Sequence, residues 1–111
     1  MLLLIKDEVL KYIIRELPAR DKNVKAIILF GSVARGDFRP DSDIDLLILT
    51  DNPKETRRIF SELRVEFLEK GIVVSALYVT PQQYEKSIDP LFKAIKKEGD
   101  NIMEEIKLTV I

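Results

Sequence analysis

The segment Leu29–Leu46, LFGSVARGDFRPDSDIDL, combines a glycine–serine turn with the aspartate pair Asp43 and Asp45, which a single residue separates. It overlaps the end of the apolar, β-branched run Val24–Phe30, which predicts a buried strand running into the turn. Gly31 allows the backbone to turn sharply and to approach a ligand closely. From Ser32 onward the sequence predicts a short helix, whose free N–H groups and dipole favour a phosphate. Ser32 adds a hydroxyl donor, and Arg35 adds a guanidinium that matches a pair of phosphate oxygens.

Asp43 and Asp45 stand at the start of a second predicted strand, Ile44–Leu49. Side chains two residues apart point to the same face of a strand, so Ile44 between them points into the core. Two carboxylates on one face repel each other unless a cation lies between them. Magnesium, shared with the oxygens of a triphosphate, is the natural occupant. The two parts of the segment therefore predict one site for a triphosphate and its metal.

Each part of this segment has a simpler explanation when it is taken alone. A strand followed by Gly-Ser is common, two aspartates can form a solvated strand end, and Arg35 can be an ordinary surface residue. The stretch from Asp41 to Asp45 also resembles the start of a calcium loop. Such a loop requires a glycine where this chain has Leu46 and a glutamate where it has Asn52. The Gly-rich P-loop and the Rossmann glycines are absent. Only the joint occurrence of all parts favours the phosphate-and-metal site.

The remaining patterns predict helices that alternate with strands, and therefore an α+β (α/β-like) fold with a small mixed β-sheet and flanking helices. We expect a single domain over residues 1–111. The further predicted elements are a helix from Leu2 that ends at Pro18, a helix opened by Asp51-Asn52-Pro53 and ended by Gly71, a strand over Ile72–Val79, a short helix opened by Thr80-Pro81, and a helix opened by Asp89-Pro90 and ended by Gly99. The tail from Asp100 gives no clear pattern.

The composition excludes several kinds of chemistry. The chain has no cysteine and no histidine, so disulfides, thiolate zinc sites and imidazole bases are excluded, and any metal site must be built from oxygens. A net charge of −1 argues against a nucleic-acid partner. The apolar start Met1–Ile5 is too short to span a bilayer. We therefore expect a cytoplasmic protein without a membrane partner.

The pattern Gly31-Ser32-x-Ala34-Arg35-Gly36, five residues, then Ser42-Asp43-x-Asp45 resembles the signature of the DNA polymerase β-like nucleotidyltransferase superfamily. The likeness is strongest to its small prokaryotic members, the minimal nucleotidyltransferases, and the closing segment 90–99 is similar to the end of such proteins. The resemblance implies that a nucleoside monophosphate is transferred from a nucleoside triphosphate, with ATP expected first, and that pyrophosphate is released. It implies that the nucleotide is held by Gly31, Ser32, Arg35 and Ser42, and that Asp43 and Asp45 are the catalytic residues that ligate Mg²⁺.

One departure from the family pattern concerns the third predicted strand. The family usually supplies a third carboxylate from this strand, whereas Ile72–Val79 contains none. If the face of Ser75 and Leu77 looks toward Asp43 and Asp45, one of these two residues replaces the acid. We therefore expect that nucleotide binding survives while transfer is slow or depends on a partner.

Two functions follow from the resemblance. The first is a Mg²⁺-dependent nucleotidyltransferase that acts on a hydroxyl acceptor. The second is a catalytically weakened nucleotide-binding module, similar to an antitoxin that pairs with a helical HEPN-type protein. A homo-oligomer would also supply the missing second lobe. Three arginines predicted on the exposed side of the second long helix offer a surface for an acidic partner, although a merely solvated face is the simpler interpretation: Arg57, Arg58 and Arg64.

Overall fold

The computed structural model describes residues 2–36 and 43–103. It confirms the predicted mixed sheet with flanking helices. The helices are α1 (Leu2–Arg20), α2 (Gly31–Arg35), α3 (Pro53–Leu68), α4 (Pro81–Lys86) and α5 (Pro90–Glu98). The strands are β1 (Val24–Phe30), β2 (Ile44–Thr50), β3 (Val74–Val79) and β4 (Asp100–Asn101). Within the two described ranges, no helix is both long and apolar enough to cross a membrane.

The sheet has the strand order β3-β2-β1-β4. Strands β1 and β2 are antiparallel, and their register pairs Phe30 with Asp45. Strand β3 lies parallel to β2 and places Ser75 beside Asp45. The two-residue strand β4, which the sequence did not predict, pairs antiparallel with β1 opposite Ile28 and Leu29.

The two faces of the sheet are covered by different helices. On one face, α1 and α3 bury a large apolar cluster, which includes Ile13, Leu17, Phe60 and Leu63 together with Ile44, Leu46 and Ile48 of β2. On the other face, a smaller cluster joins Leu47 to Ile28 and to Ile95 of α5. Because side chains alternate along a strand, Asp45 lies on the face of Leu47, away from the larger core.

The prediction that the first helix ends at Pro18 is wrong, since α1 continues to Arg20. Proline lacks an N–H and its ring crowds the preceding turn, but its fixed φ is compatible with a helix, so these costs are tolerated near the end of α1. The N–H of Asp21 donates to the carbonyl of Leu17 at 2.9 Å and closes the final turn. Leu17 itself is fully buried, so core packing holds this turn in place.

A buried polar network ties the end of α1 to the start of α3. The Thr56 hydroxyl donates to Oδ2 of Asp21 at 2.5 Å, and Thr50 at the end of β2 lies 2.6 Å from the same hydroxyl. The backbone N–H of Asn23 donates to the other carboxylate oxygen of Asp21 at 3.0 Å. The side chain of Asn52 accepts from the N–H of Glu55 and caps α3, as the sequence predicts. These bonds fix how β2 leaves the sheet and enters the helix.

Candidate functional site

Gly31 lies where β1 turns into α2, as predicted. Its φ of +77° is a left-handed conformation that favours glycine. The space beside it is also restricted, because a Cβ added at Gly31 would overlap Oδ2 of Asp45 and lie 3.1 Å from its Cγ. The predicted approach of the glycine turn to the second aspartate is therefore confirmed.

The two aspartates differ in their surroundings. Asp43 is exposed just before β2, whereas Asp45 is half-buried on the strand. Burial raises the pKa of Asp45, the negative charge of Asp43 raises it further, and the positive charge of Arg35 opposes both effects. Both other charged groups of the predicted site thus act on Asp45, and the negative charge of its carboxylate is disfavoured in the folded protein.

Of the other predicted nucleotide-binding residues, the structure describes Ser32 and Arg35. Ser32 lies in the single turn of α2, and Arg35 ends that helix with about half of its side chain exposed. The N-cap of α2 is Phe30, whose side chain makes no capping hydrogen bond. Ser42 lies outside the described residues.

A cleft that sequence reasoning did not predict adjoins this turn. It has a volume of about 200 Å³ and is lined by Phe30, Gly31, Arg35, Leu91, Ala94, Ile95 and Glu98. Glu98, from α5, lies 4.0 Å from a guanidinium nitrogen of Arg35. In the sequence, segment 90–99 resembles the closing segment of family members. That resemblance does not indicate that Glu98 reaches the turn at Gly31.

The third strand presents no acid to the site. Ser75 is the register partner of Asp45, and alternation puts Leu77 on the same face. Leu77 is 40% exposed, so an acid placed there would keep part of its hydration. Within residues 2–36 and 43–103, no group of three acidic side chains is placed to hold a metal ion. Strand β3 therefore places Ser75, and not an acid, beside Asp45.

The residues present nevertheless fit a divalent cation that prefers oxygen ligands. Two carboxylates that act on each other at the start of β2 offer hard oxygen ligands, which Mg²⁺ prefers. A cation would offset both the mutual repulsion and the burial penalty at Asp45. The two carboxylates alone do not fill the coordination shell of Mg²⁺, so phosphate oxygens and water would supply the remaining ligands.

Comparison with known proteins identifies the class of this chain. The model of the nucleotidyltransferase domain family matches residues 10–108, and the chain therefore belongs to this family. Two relatives come from Methanocaldococcus jannaschii. "Putative protein adenylyltransferase MJ0604" is 35% identical over 77 residues, which are 68% of this chain and 75% of the relative. "Putative protein adenylyltransferase MJ1305" is 40% identical over 76 residues, which are 63% of this chain and 52% of that protein. The chain thus spans about half the length of the second relative.

A solved structure has a similar fold. A chain in a crystal structure of a toxin–antitoxin with AMP-PNP superposes with a TM-score of 0.57 and 18% sequence identity, over 78% of this chain and 67% of that one. At this identity the likeness shows the fold alone.

Proposed function

We propose that this domain transfers a nucleoside monophosphate, AMP from ATP above all, to a hydroxyl group of a protein, with Mg²⁺ bound at Asp43 and Asp45. The observation that carries the proposal is the contact between the Gly31 turn and the half-buried carboxylate of Asp45. It brings a backbone suited to close phosphate approach next to a carboxylate oxygen, the kind of ligand that Mg²⁺ prefers. Membership in the nucleotidyltransferase family supports the reaction type, and the names of the two relatives support AMP and a protein acceptor.

The proposed reaction is a substitution at the α-phosphorus. The acceptor oxygen forms a bond to this phosphorus, the bond to the oxygen bridging the β-phosphate breaks, and pyrophosphate leaves with that electron pair. The hydroxyl proton goes to solvent. Bound Mg²⁺ would supply charge neutralisation and a more acidic acceptor hydroxyl. Catalysis then consists mainly of positioning and electrostatic stabilisation.

The chain's own residues divide these tasks. Gly31 lets the backbone approach the phosphates, and Ser32 offers its N–H and hydroxyl as donors to phosphate oxygens. Arg35 brings positive charge and lines the cleft beside the turn, where one of its guanidinium nitrogens lies 4.0 Å from Glu98. Ser42 completes the nucleotide-binding set of the family signature.

A second candidate function is favoured by the missing acid. Because Ser75 stands beside Asp45, the metal that activates the acceptor oxygen would lose a ligand. The domain would then act as a nucleotide-binding module, similar to an antitoxin that binds a helical HEPN-type protein or a second copy of itself. The toxin–antitoxin with AMP-PNP that shares the fold supports this candidate.

Labelled nucleotides separate the two candidates. The purified chain would be incubated with α-phosphate-labelled ATP, GTP, CTP or UTP, with Mg²⁺ or a chelator, and with proteins of the source cell. Label transferred from ATP to a protein, only with Mg²⁺, supports the enzyme. Mg²⁺-dependent binding without transfer supports the module, and binding that is equal with Mg²⁺ and with chelator contradicts both.

Matched variants test the metal site. Asp43→Asn and Asp45→Asn should each remove the gain in nucleotide affinity that Mg²⁺ provides. Asp51→Asn is the control, since this exposed aspartate follows the other end of β2 and pairs with Lys25 at 3.3 Å. Equal losses in all three variants would show that the effect is general charge rather than a site.

A further inference from the structure

A second cleft lies on the face of the sheet opposite Asp45, between α3 and β3. It has a volume of about 200 Å³ and is lined by Arg57, Ser61, Arg64, Ala76 and Tyr78. None of these residues belongs to the site proposed above. Three of them, the two arginines and Ser61, carry hydrogen-bond donors on the same helix.

The two arginines are held in place by aromatic rings. The guanidinium of Arg57 lies 5.3 Å from the ring centroid of Tyr78, and that of Arg64 lies 5.6 Å from the ring centroid of Phe60. The Nε atom of Arg64 is buried and makes no hydrogen bond within the described part of the chain. A buried donor without an acceptor is costly, so a carboxylate toward which the Arg64 guanidinium turns would relieve this cost.

The third arginine of the same helix behaves differently. Arg58 bonds to Glu55 at 2.5 Å and to Glu62 at 3.0 Å, so its charge is already compensated. Neither Arg57 nor Arg64 forms an ion pair with an acid among residues 2–36 and 43–103. The expected basic surface of three arginines therefore reduces to the two that line the cleft.

Strand β3 provides the other wall of the cleft and an edge of the sheet. Among the described strands it pairs only with β2, so one row of its backbone groups has no strand partner. Its residues Ala76 and Tyr78 face the cleft, whereas Leu77, 40% exposed, faces the other side. Such an edge accepts an added strand, whose side chains alternate between the two faces.

We propose that the β3 edge and this cleft bind an extended acidic segment of a partner protein. One carboxylate of the segment enters the cleft and accepts from Arg57 and Arg64, while the neighbouring apolar side chain packs on Leu77. The binding inference is independent of the proposed transfer reaction.

The test uses a fluorescein-labelled peptide in which glutamate and valine alternate over seven residues, and its affinity is measured by fluorescence anisotropy. Two further peptides serve as comparisons: one replaces glutamate with glutamine, and the other places proline at every second position. We expect the glutamate peptide to bind at least ten times more tightly than either, because the first lacks the charge and the second lacks the backbone N–H groups of a strand.

Variants of α3 identify the site. Arg57→Gln and Arg64→Gln should each weaken binding of the glutamate peptide at least tenfold, and Arg64→Lys should weaken it less, because it keeps the charge but loses the planar fork. Arg58→Gln is the matched control and should change the affinity less than twofold. Circular dichroism and the thermal midpoint of each variant establish that the domain remains folded.

Several results would overturn the proposal. Failure of the glutamate peptide to bind, equal affinity for the glutamate and glutamine peptides, or an equal loss in Arg58→Gln would each contradict it. Displacement of the peptide by millimolar inorganic phosphate, with tight binding of phosphate alone, would show a small-anion site instead. None of these outcomes depends on nucleotide transfer, so they leave the proposed function untouched.

Discussion

Replacement of Gly31 by alanine separates two contributions of this glycine, backbone conformation and space. A non-glycine residue in the left-handed conformation costs about 1–2 kcal/mol. Gly31 has φ +77°, Gly36 has φ +79° and Gly71 has φ +75°, so alanine should carry this backbone cost at all three positions. A loss of 1 kcal/mol lowers the thermal midpoint of a domain of this size by about 4–8 °C.

Among these three glycines, only Gly31 has another side chain in the place of the new methyl group. A Cβ there overlaps Oδ2 of Asp45, whereas a Cβ at Gly36 or Gly71 meets nothing within 4 Å. The overlapped atom is the end of a side chain that can rotate, so we expect the Asp45 carboxylate to swing aside. The stability of Gly31→Ala should then fall about as much as that of the two controls. Its Mg²⁺-dependent nucleotide affinity should fall by about 10- to 100-fold, the range typical of disturbed metal-ligand orientation.

The assay combines chemical denaturation with calorimetric titration of ATP in Mg²⁺. Gly71→Ala, far along the chain from the turn, should keep the affinity of the original protein despite its lower stability. In an Asp45→Ala background the carboxylate that overlaps the methyl group is absent, so Gly31→Ala should lower ATP affinity by a smaller factor than it does in the original protein. Unchanged ATP affinity in Gly31→Ala, or an equal loss in Gly71→Ala, would refute the idea that this glycine makes room for the aspartate.

Three further predictions concern packing, the buried network and the missing acid. Thr56→Val removes the hydroxyl that donates to the buried Asp21 and should destabilise the domain by about 1.5–3 kcal/mol in urea unfolding. The control is Ser61→Val at an exposed position, and a smaller loss in Thr56→Val than in this control would contradict the role of the network. Gly99→Ala places a methyl group 2.6 Å from the Ile95 carbonyl oxygen and should cost about 1–3 kcal/mol by thermal unfolding, whereas a neutral effect would show that α5 moves freely. Ser75→Asp should destabilise the metal-free protein by about 0.2–1 kcal/mol, because its charge repels that of the neighbouring Asp45. With Mg²⁺ the variant should become more stable and transfer the nucleoside monophosphate faster. Transfer no faster than in Ser75→Asn would mean that strand β3 has no part in metal binding.

The elements that sequence reasoning predicted well have strong local signals. The β-branched run before Gly31 is strand β1, and Asn52-Pro53 opens α3 with the expected cap. Similarly, Thr80 and Gln83 form a reciprocal capping box at the start of α4. Each of these features is decided by residues within a few positions of one another, where intrinsic preference and hydrogen bonding agree.

The features that were missed depend on contacts between distant parts of the chain. Strand β4 has two residues, too few to show an alternating pattern, and exists only because β1 lies beside it. The helix continues through Pro18 because Leu17 is held in the core. Local charge also did not distinguish Arg58, which is compensated by its own helix, from Arg64, whose Nε atom is buried against neighbouring elements.

The antiparallel pairing of β1 with β2 has a consequence for the order of folding. Residues 31–43, which join these two strands, carry most of the proposed nucleotide site, so the site is built on the connection of one hairpin. Strand β3 pairs parallel to β2 and must wait for the whole of α3 to cross over the sheet. Because closing a shorter loop loses less entropy, we expect the hairpin to form first and the β3 edge to join later. During synthesis, the two strands beside the proposed nucleotide site would thus pair before the edge proposed for a partner is formed.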